Sequence, residues 1–211
     1  MDRHPIDAWS IKVGEASCSV DPLSSQGVQI AITSGLQGGI AAHTLLNFPE
    51  NAAAAIEFYR HRQEETSMEH YRWAGRYYAE QCRFKTAFWN VRSIGDSEAP
   101  PVRAFQDKQQ GFASDRRVRI SGDAKLVAVP SIEGNIIKTV YALSHPGLDR
   151  PVAFIKNIPV KRLWDAIEPG KTIRETTEVW TRIASPGVSW EIARWMYDSG
   201  LLLNLDSGLS C

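Results

Sequence analysis

The residues best suited to chemistry lie together near the start of the sequence, in residues 11–28, I-K-V-G-E-A-S-C-S-V-D-P-L-S-S-Q-G-V. A weakly alternating apolar stretch, residues 8–14, reads as a short strand ending in Gly14-Glu15. An Asp21-Pro22 turn follows, and Gly27 then opens a helical pattern. A strand, an acid at its end and a helix N-terminus are a recurring way to hold a phosphorylated cofactor. The carboxylate of Glu15 can accept hydrogen bonds from ribose hydroxyls, and unpaired N–H groups at a helix start face an anion or an electron-rich ring edge. A helix N-terminus carries roughly +0.5 charge, which would stabilise a reduced, anionic ring. Pro22 and Gly27 suit a stiff loop whose backbone comes close to a flat ligand. The same residues also suit an ordinary strand–turn–helix, and on residue chemistry alone both readings stay open.

Other chemical constellations are missing. There is no G-x-G-x-x-G and no Walker A loop; Gly35, Gly38 and Gly39 are wrongly spaced and sit within a helical pattern. His4, His43, His61, His70 and His145 include no i,i+4 pair, and Cys18, Cys82 and Cys211 include no C-x-x-C, so no metal site is expected. Leu23 stands where a G-x-S-x-G nucleophile elbow needs its first glycine, which argues against a serine hydrolase. No catalytic residue is assignable.

Several elements must position the 11–28 segment. After Gly27 the run VQIAITSGLQGGIAAHTLL has helical spacing, with Ala31, Gly35, Gly38 and Ala42 on one face. Each interior glycine costs about 1 kcal/mol relative to alanine. Such a row predicts close approach of a sheet, another backbone or a flat ligand. Pro49 suits a first helical turn. Residues 50–83 hold no proline and a single glycine, and predict a helix of roughly 50 Å at 1.5 Å per residue. Tyr71, Trp73, Tyr77, Tyr78, Phe84, Phe88 and Trp89 crowd its far end, a density expected of core and less often of a substrate wall. Residues 93–117, with Pro100-Pro101, read as a linker or loop. From Val118 the β-branched runs RVRIS, KLVAVPSI and IIKTVYAL predict a hairpin or small sheet. Thr172 and Glu175 match a T-x-x-E capping box for a helix burying Ile173, Trp180 and Ile183. Ser189 suits the cap of a further helix carrying Ile192, Trp195 and Met196, stopped near Gly200 before Leu201–Leu203. Helices followed by a strand give a winged-helix texture.

Composition bounds the rest. The chain's 211 residues, 23.5 kDa, carry 24 basic and 24 acidic side chains, with 43% hydrophobic and 23% charged residues. This is ordinary globular composition and excludes a disordered tail or a disulfide-stapled miniprotein. Zero formal net charge gives no general pull toward nucleic acid or anionic membrane, so neither is an expected partner. No apolar run nears the roughly 20 residues that span a bilayer, and the start lacks the regions of a signal peptide. Three cysteines without a close pair predict reduced thiols and a cytoplasmic setting.

The segment V-G-E-A-S-C-S-V-D-P-L-S-S-Q-G-V resembles the second FAD-binding motif of flavin monooxygenases of the p-hydroxybenzoate hydroxylase type. It is most similar to the branch of tryptophan halogenases and oxidase-maturation flavoproteins, whose motif runs approximately G-D-A-x-x-x-x-D-P-L-x-x-Q-G-[VI]. Gly14 and Glu15 fall on the Gly-Asp pair, whose acid contacts the ribityl or pyrophosphate region of FAD; Glu15 is longer than that Asp by one methylene. Asp21, Pro22, Ser25, Gln26, Gly27 and Val28 fall on the loop that meets the isoalloxazine ring. Y-Y-A-E-Q-C-R-F, F-W-N-V-R and R-P-V-A-F are similar to the same group. The resemblance runs over most of residues 8–200 and is most specific over 8–46.

This resemblance implies an α+β, mainly helical fold. Residues 1–92 would form the C-terminal part of an FAD-binding domain, a strand–loop–helix remnant with one long helix. Residues 93–117 would be a linker or loop, and 118–211 a small sheet with a winged-helix-like region. The implied function is that of an FAD-dependent oxidoreductase, monooxygenase or halogenase-like. Reduced FAD would react with oxygen to a hydroperoxide that oxidises an organic substrate or a halide. A small organic substrate, and a flavin reductase or a protein substrate, are the implied partners. Family members also carry a G-x-G-x-x-G half, and halogenases a catalytic lysine and a W-x-W-x-I-P motif. None of these is present, so the chain reads as a truncated C-terminal half, inactive alone and with weak or no FAD affinity. The alternative is a non-catalytic helical and winged-helix interaction module that keeps a relic flavin loop. A DNA-reading winged helix would need a basic stripe that balanced charge does not supply.

Overall fold

Gly27–Asn47, free of proline and rich in small and aliphatic residues, form helix α1. Pro49–Asn51 make one 3₁₀ turn with proline in its first position, and helix α2 follows over Ala52–Glu80. At 29 residues α2 is about 43 Å long at 1.5 Å per residue, shorter at both ends than the sequence pattern predicts. A short helix α3 covers Ala87–Arg92. The remaining elements are strands β1 (Val118–Ile120), β2 (Lys125–Glu133), β3 (Ile136–Ser144), β4 (Phe154–Ile155) and β5 (Ile158–Pro159), helices α4 (Val160–Asp165), α5 (Ile173–Trp180) and α6 (Pro186–Asp198), and strand β6 (Leu202–Asn204). The fold is α+β and mainly helical. These elements come from a computed structural model, which describes residues 4–81, 83–93 and 112–205. Most of the expected 93–117 linker and its Pro100-Pro101 lie outside the described residues, as do Cys82 and Cys211.

The chain divides into two compact units, Met1–Arg103 with Pro130–Thr139, and Ala104–Val129 with Val140–Cys211. In the first, α2 folds back along α1, and Tyr59 Oη lies 3.4 Å from the Ser34 carbonyl oxygen. Ile6, Ala41, Ala54, Ala55, Phe58, Tyr59 and Ile137 form its core. Ile137 comes from the turn end of the β2–β3 hairpin, and its N–H donates to Thr44 Oγ1 at 2.9 Å. Gly134, in the left-handed region at φ 65°, makes that turn.

In the second unit β1 pairs antiparallel with β6, Val118 facing Asn204 and Ile120 facing Leu202. β4 and β5 pair through a turn in which Lys156 (φ 51°) and Asn157 (φ 63°) both have left-handed backbone. Trp180, Leu163, Ile173, Ile192, Met196, Tyr197, Leu201 and Leu202 make the core. The T-x-x-E capping box is present: Thr172 Oγ1 accepts from the Glu175 N–H, and Glu175 Oε2 accepts from the Thr172 N–H at 2.8 Å. The Thr172 N–H and then the Thr172 hydroxyl, both donating to that carboxylate, hold Glu175 below its ordinary pKa.

Three expectations are corrected. Residues 8–14 do not form a strand; a single bridge joins Ile6 to Ile11, and Gly14–Ala16 turn as 3₁₀ helix. A strand needs a neighbour to pair with, and none is placed there among the described residues. The cap of α6 is Ser185 followed by Pro186, whereas Ser189 is fully buried inside the helix. On α1 the buried face runs through Ile30, Ser34, Gly38, Ala41 and Thr44, so it shares only Gly38 with the expected small-residue row. A Cβ on Gly38 would stand 2.8 Å from Val13 Cγ1, which explains that glycine; Gly35 has nothing within 4 Å. No helix among the described residues is long and apolar enough to cross a membrane.

Candidate functional site

Residues 14–28 form two successive 3₁₀ turns, Gly14–Ala16 and Pro22–Ser24, that lead into α1. Gly14 is buried with φ 60°, a backbone state glycine adopts without a Cβ clash. Its N–H donates to Ser34 Oγ at 2.8 Å, and its carbonyl accepts from the Ser17 and Cys18 N–H groups at 3.0 Å each. Ser17 Oγ donates to Gln63 Oε1 at 2.9 Å, a polar pair 2% exposed at both ends. Tyr59 Oη donates to the Lys12 carbonyl at 2.8 Å, and burial pushes its phenol up to about 12. α1 and α2 therefore brace the loop from beneath with side-chain hydrogen bonds. Glu15, by contrast, is exposed.

Asp21 organises the second turn. Its Oδ1 accepts from the Leu23 N–H at 3.0 Å, and its Oδ2 accepts from Tyr78 Oη at 2.8 Å. That bond, and then burial, raise the Tyr78 pKa. Pro22 occupies the first position of the turn, and its carbonyl accepts from the Ser25 N–H at 3.1 Å. Ser25 ends the turn in the left-handed region, φ 51°, where a small residue is tolerated. The Gln26 carbonyl accepts from the Ile30 N–H, and the Gln26 side chain makes no capping hydrogen bond to α1. A Cβ on Gly27 would meet nothing within 4 Å, and Val28 is 74% exposed.

Tyr78 ties this loop to the aromatic cluster. Trp89 lies 5.6 Å from Tyr78, 5.3 Å from Phe88 and 6.2 Å from Phe84 between ring centroids. The Arg92 guanidinium sits 4.0 Å from the Phe88 centroid. These rings are not the core expected from their density: Phe84, Phe88, Tyr71 and Tyr77 are about half exposed or more, and only Tyr78 among the described ones is buried.

A serine–histidine pair in the second unit invites comparison with a nucleophile and base. His145 Nε2 lies 3.2 Å from Ser121 Oγ, but His145 Nδ1 accepts from the Gly147 N–H at 3.0 Å. A neutral ring that accepts at Nδ1 carries its proton on Nε2, so it donates to Ser121 instead of taking a proton from it. The pair fixes a turn. Among the described residues no group of three His, Cys, Asp or Glu side chains is placed to hold a metal.

No family model matches the chain, and no curated protein matches it. Two solved structures share its fold. One is the peptidyl tryptophan dihydroxylase QhpG, essential for tryptophylquinone cofactor biogenesis, with a TM-score of 0.64 at 22% identity over 93% of this chain and 42% of that one. The other is CmlS, a flavin-dependent halogenase, with a TM-score of 0.53 at 17% identity over 93% of this chain and 44% of that one. The chain thus has a flavin-enzyme-like fold and spans less than half the length of either neighbour.

The bracing residues Ser34, Tyr59, Gln63 and Tyr78 were not visible as such in the sequence. Ser34 and Gln63 carry one signal, polar side chains at helix positions facing a core; Tyr78 is one tyrosine among many.

Proposed function

We propose that these residues are the ring-side part of an FAD-dependent oxidoreductase of the p-hydroxybenzoate hydroxylase type, monooxygenase or halogenase-like. The observation that carries the reading is the start of α1 at Gly27, with nothing within 4 Å of where a Cβ would stand and preceded by the left-handed Ser25 turn, within a flavin-enzyme-like fold. The residues fit such a cofactor. Gly27 leaves free space where a side chain would stand, so the backbone of residues 26–28 can come close to a flat ring. The N-terminal dipole of the 21-residue α1 favours negative charge on a ring edge there. Glu15, exposed at the first turn, would accept from sugar or ribityl hydroxyls.

FAD, when bound, supplies the redox chemistry. The chain's own part is to orient and to exclude water. Asp21 holds the loop in shape through the Leu23 N–H and Tyr78. Phe84 and Phe88 offer half-exposed ring faces, backed by the more buried Trp89, suited to a flat organic substrate.

Titrating FAD into the 211-residue chain tests this, read by flavin fluorescence and the visible band. The expected result is weak, saturable binding that Gly27→Glu abolishes, because it sets a carboxylate at the helix start. The folded helix tolerates that change, since an acid near a helix N-terminus is favourable. Saturable binding indifferent to Gly27→Glu, or no uptake of FAD even when the part of the fold outside these residues is supplied, would overturn the reading.

A further inference from the structure

Two exposed apolar surfaces of the first unit differ in what they offer a ligand. The outward residues Val28, Ile32 and Leu36 lie on α1, which contains no Asp, Glu, Lys or Arg, so no charge there selects an occupant. The rings at the end of α2 and in α3 are set among cations. Residues 83–93 hold Arg83, Lys85 and Arg92 and no acid. The Arg83 guanidinium lies 5.3 Å from the Phe84 centroid, and that of Arg92 lies 4.0 Å from the Phe88 centroid. None of these cations belongs to an ion pair among the described residues. Asp21, the carboxylate bonded to Tyr78, is already held by two donors. Phe84 and Phe88 are 48% and 50% exposed, and Trp89 contacts both, within 15° of parallel to Phe84 and edge-on to Phe88 at 81°.

We propose that this ring cluster binds a flat aromatic anion, and that Tyr78 transmits its occupancy to the turn of residues 21–25. The ring of such a ligand stacks on the exposed ring faces, and its anionic group meets Arg83 or Arg92, whose planar guanidinium forks suit a carboxylate. Like charge disfavours an aromatic amine, and a neutral ring forgoes the electrostatic part. The link to the turn is a short one. The Tyr78 ring lies 6.2 Å from Phe88 and 5.6 Å from Trp89 between centroids, while its Oη donates to Asp21 Oδ2 at 2.8 Å. Asp21 Oδ1 in turn accepts from the Leu23 N–H. A ligand that fixes Phe88 and Trp89 therefore orders Tyr78 and, through it, the turn. By reciprocity, whatever orders the turn favours the ligand. Calling that ligand a substrate rests on the flavin reading; its binding and the link through Tyr78 do not.

Titrating 2-naphthoate into the isotope-labelled full chain, followed by amide NMR, tests this without flavin. Saturable shifts are expected over residues 83–93 and at Leu23 and Ser25, whose N–H groups donate within the turn. On the unaltered chain 2-naphthalenemethanol, the same ring without the charge, should bind at least about 3-fold more weakly, the size of an exposed ion pair. 2-Naphthylmethylamine should bind more weakly still. Arg92→Gln should narrow the preference for the anion. Tyr78→Phe keeps the ring and loses the bond to Asp21, so the shifts over 83–93 should remain while those at Leu23 and Ser25 disappear. Asp21→Asn keeps an oxygen for the Leu23 N–H and an NH2 for Tyr78 Oη, and should preserve both sets. No saturable shift over 83–93, equal affinity for the alcohol, tighter binding of the amine, or Leu23 and Ser25 shifts that survive Tyr78→Phe would overturn the inference. Tighter binding of oligothymidylate than of 2-naphthoate would mark a nucleic-acid surface and overturn it too. The expected shifts in a protein that takes up no FAD, with the rest of the fold supplied, would keep it and remove the proposed function instead.

Discussion

In the second unit, Trp180, Ile173, Leu163, Tyr197, Leu201 and Leu202 are all fully buried and pack as one cluster of large side chains. The first unit builds its cluster largely from Ala41, Ala54 and Ala55 with Phe58 and Tyr59; buried polar side chains occur in both, Ser17, Ser34, Thr44 and Gln63 in the first and Ser121, Thr176, Thr177 and Ser189 in the second. The outer surfaces differ in the opposite sense. Among the described residues, large exposed apolar side chains in the second unit are Tyr141, Trp190 and Leu205, while in the first they run from Trp9 through Val28, Ile32 and Leu36 to Val91. One unit has turned its apolar area inward. The other packs smaller side chains and leaves apolar area facing out around the candidate loop.

The sharpest way to break this contrast is Trp180→Ala. It empties a large buried volume and removes the donor to the Leu163 carbonyl, 3.2 Å away. A loss of about 3–5 kcal/mol in urea unfolding is expected, and a much smaller loss would deny the second unit its large-residue core.

The units should also answer to opposite ends of the pH scale. Tyr59, raised to about 12 by burial, is held neutral when folded. Its contribution is fully present below the ordinary phenol value of about 10 and is lost as pH rises through about 12. Burial lowers the His145 pKa, an effect that nearby Asp123 partly offsets. Its neutral form therefore supports the fold above the ordinary value of about 6.5, and that support is lost as pH falls below it. Hydrogen exchange followed amide by amide should show protection falling first around Tyr59 in alkali and around His145 in mild acid. Tyr59→Phe and His145→Gln should remove the respective dependence.

Ser34→Ala tests whether polar bracing stabilises the first unit. It strands the buried Gly14 N–H, and about 1–3 kcal/mol should be lost. The smallest effect is expected where the apolar face looks outward. In the isolated chain, Ile32→Asp or Leu36→Asp should change unfolding stability by no more than about 0.5 kcal/mol. A large loss there would mean that these side chains belong to the core after all.

Much of the architecture was legible because it is written in local rules. The capping box at Thr172 and Glu175, the helix opened by Gly27 and the turn at Gly134 each follow from nearest-neighbour stereochemistry. What was not legible depends on partners distant in sequence. The 8–14 pattern promised a strand, but strands exist only as pairs. The register of the buried face of α1 was missed because Val13 and Tyr59, which set it, approach from other segments. For the candidate loop, residue types marked the turn residues Asp21, Pro22 and Gly27. The bracing by Ser34, Gln63 and Tyr78 required coordinates, since a helix serine or glutamine usually faces water.

The absence of ionised side chains along α1 also bears on the chain's fate in the cell. A helix of about six turns with Val28, Ile32 and Leu36 outward is the kind of surface that chaperones and proteases recognise. Exposed apolar area of this kind favours association as concentration rises, and α1 is where it would begin.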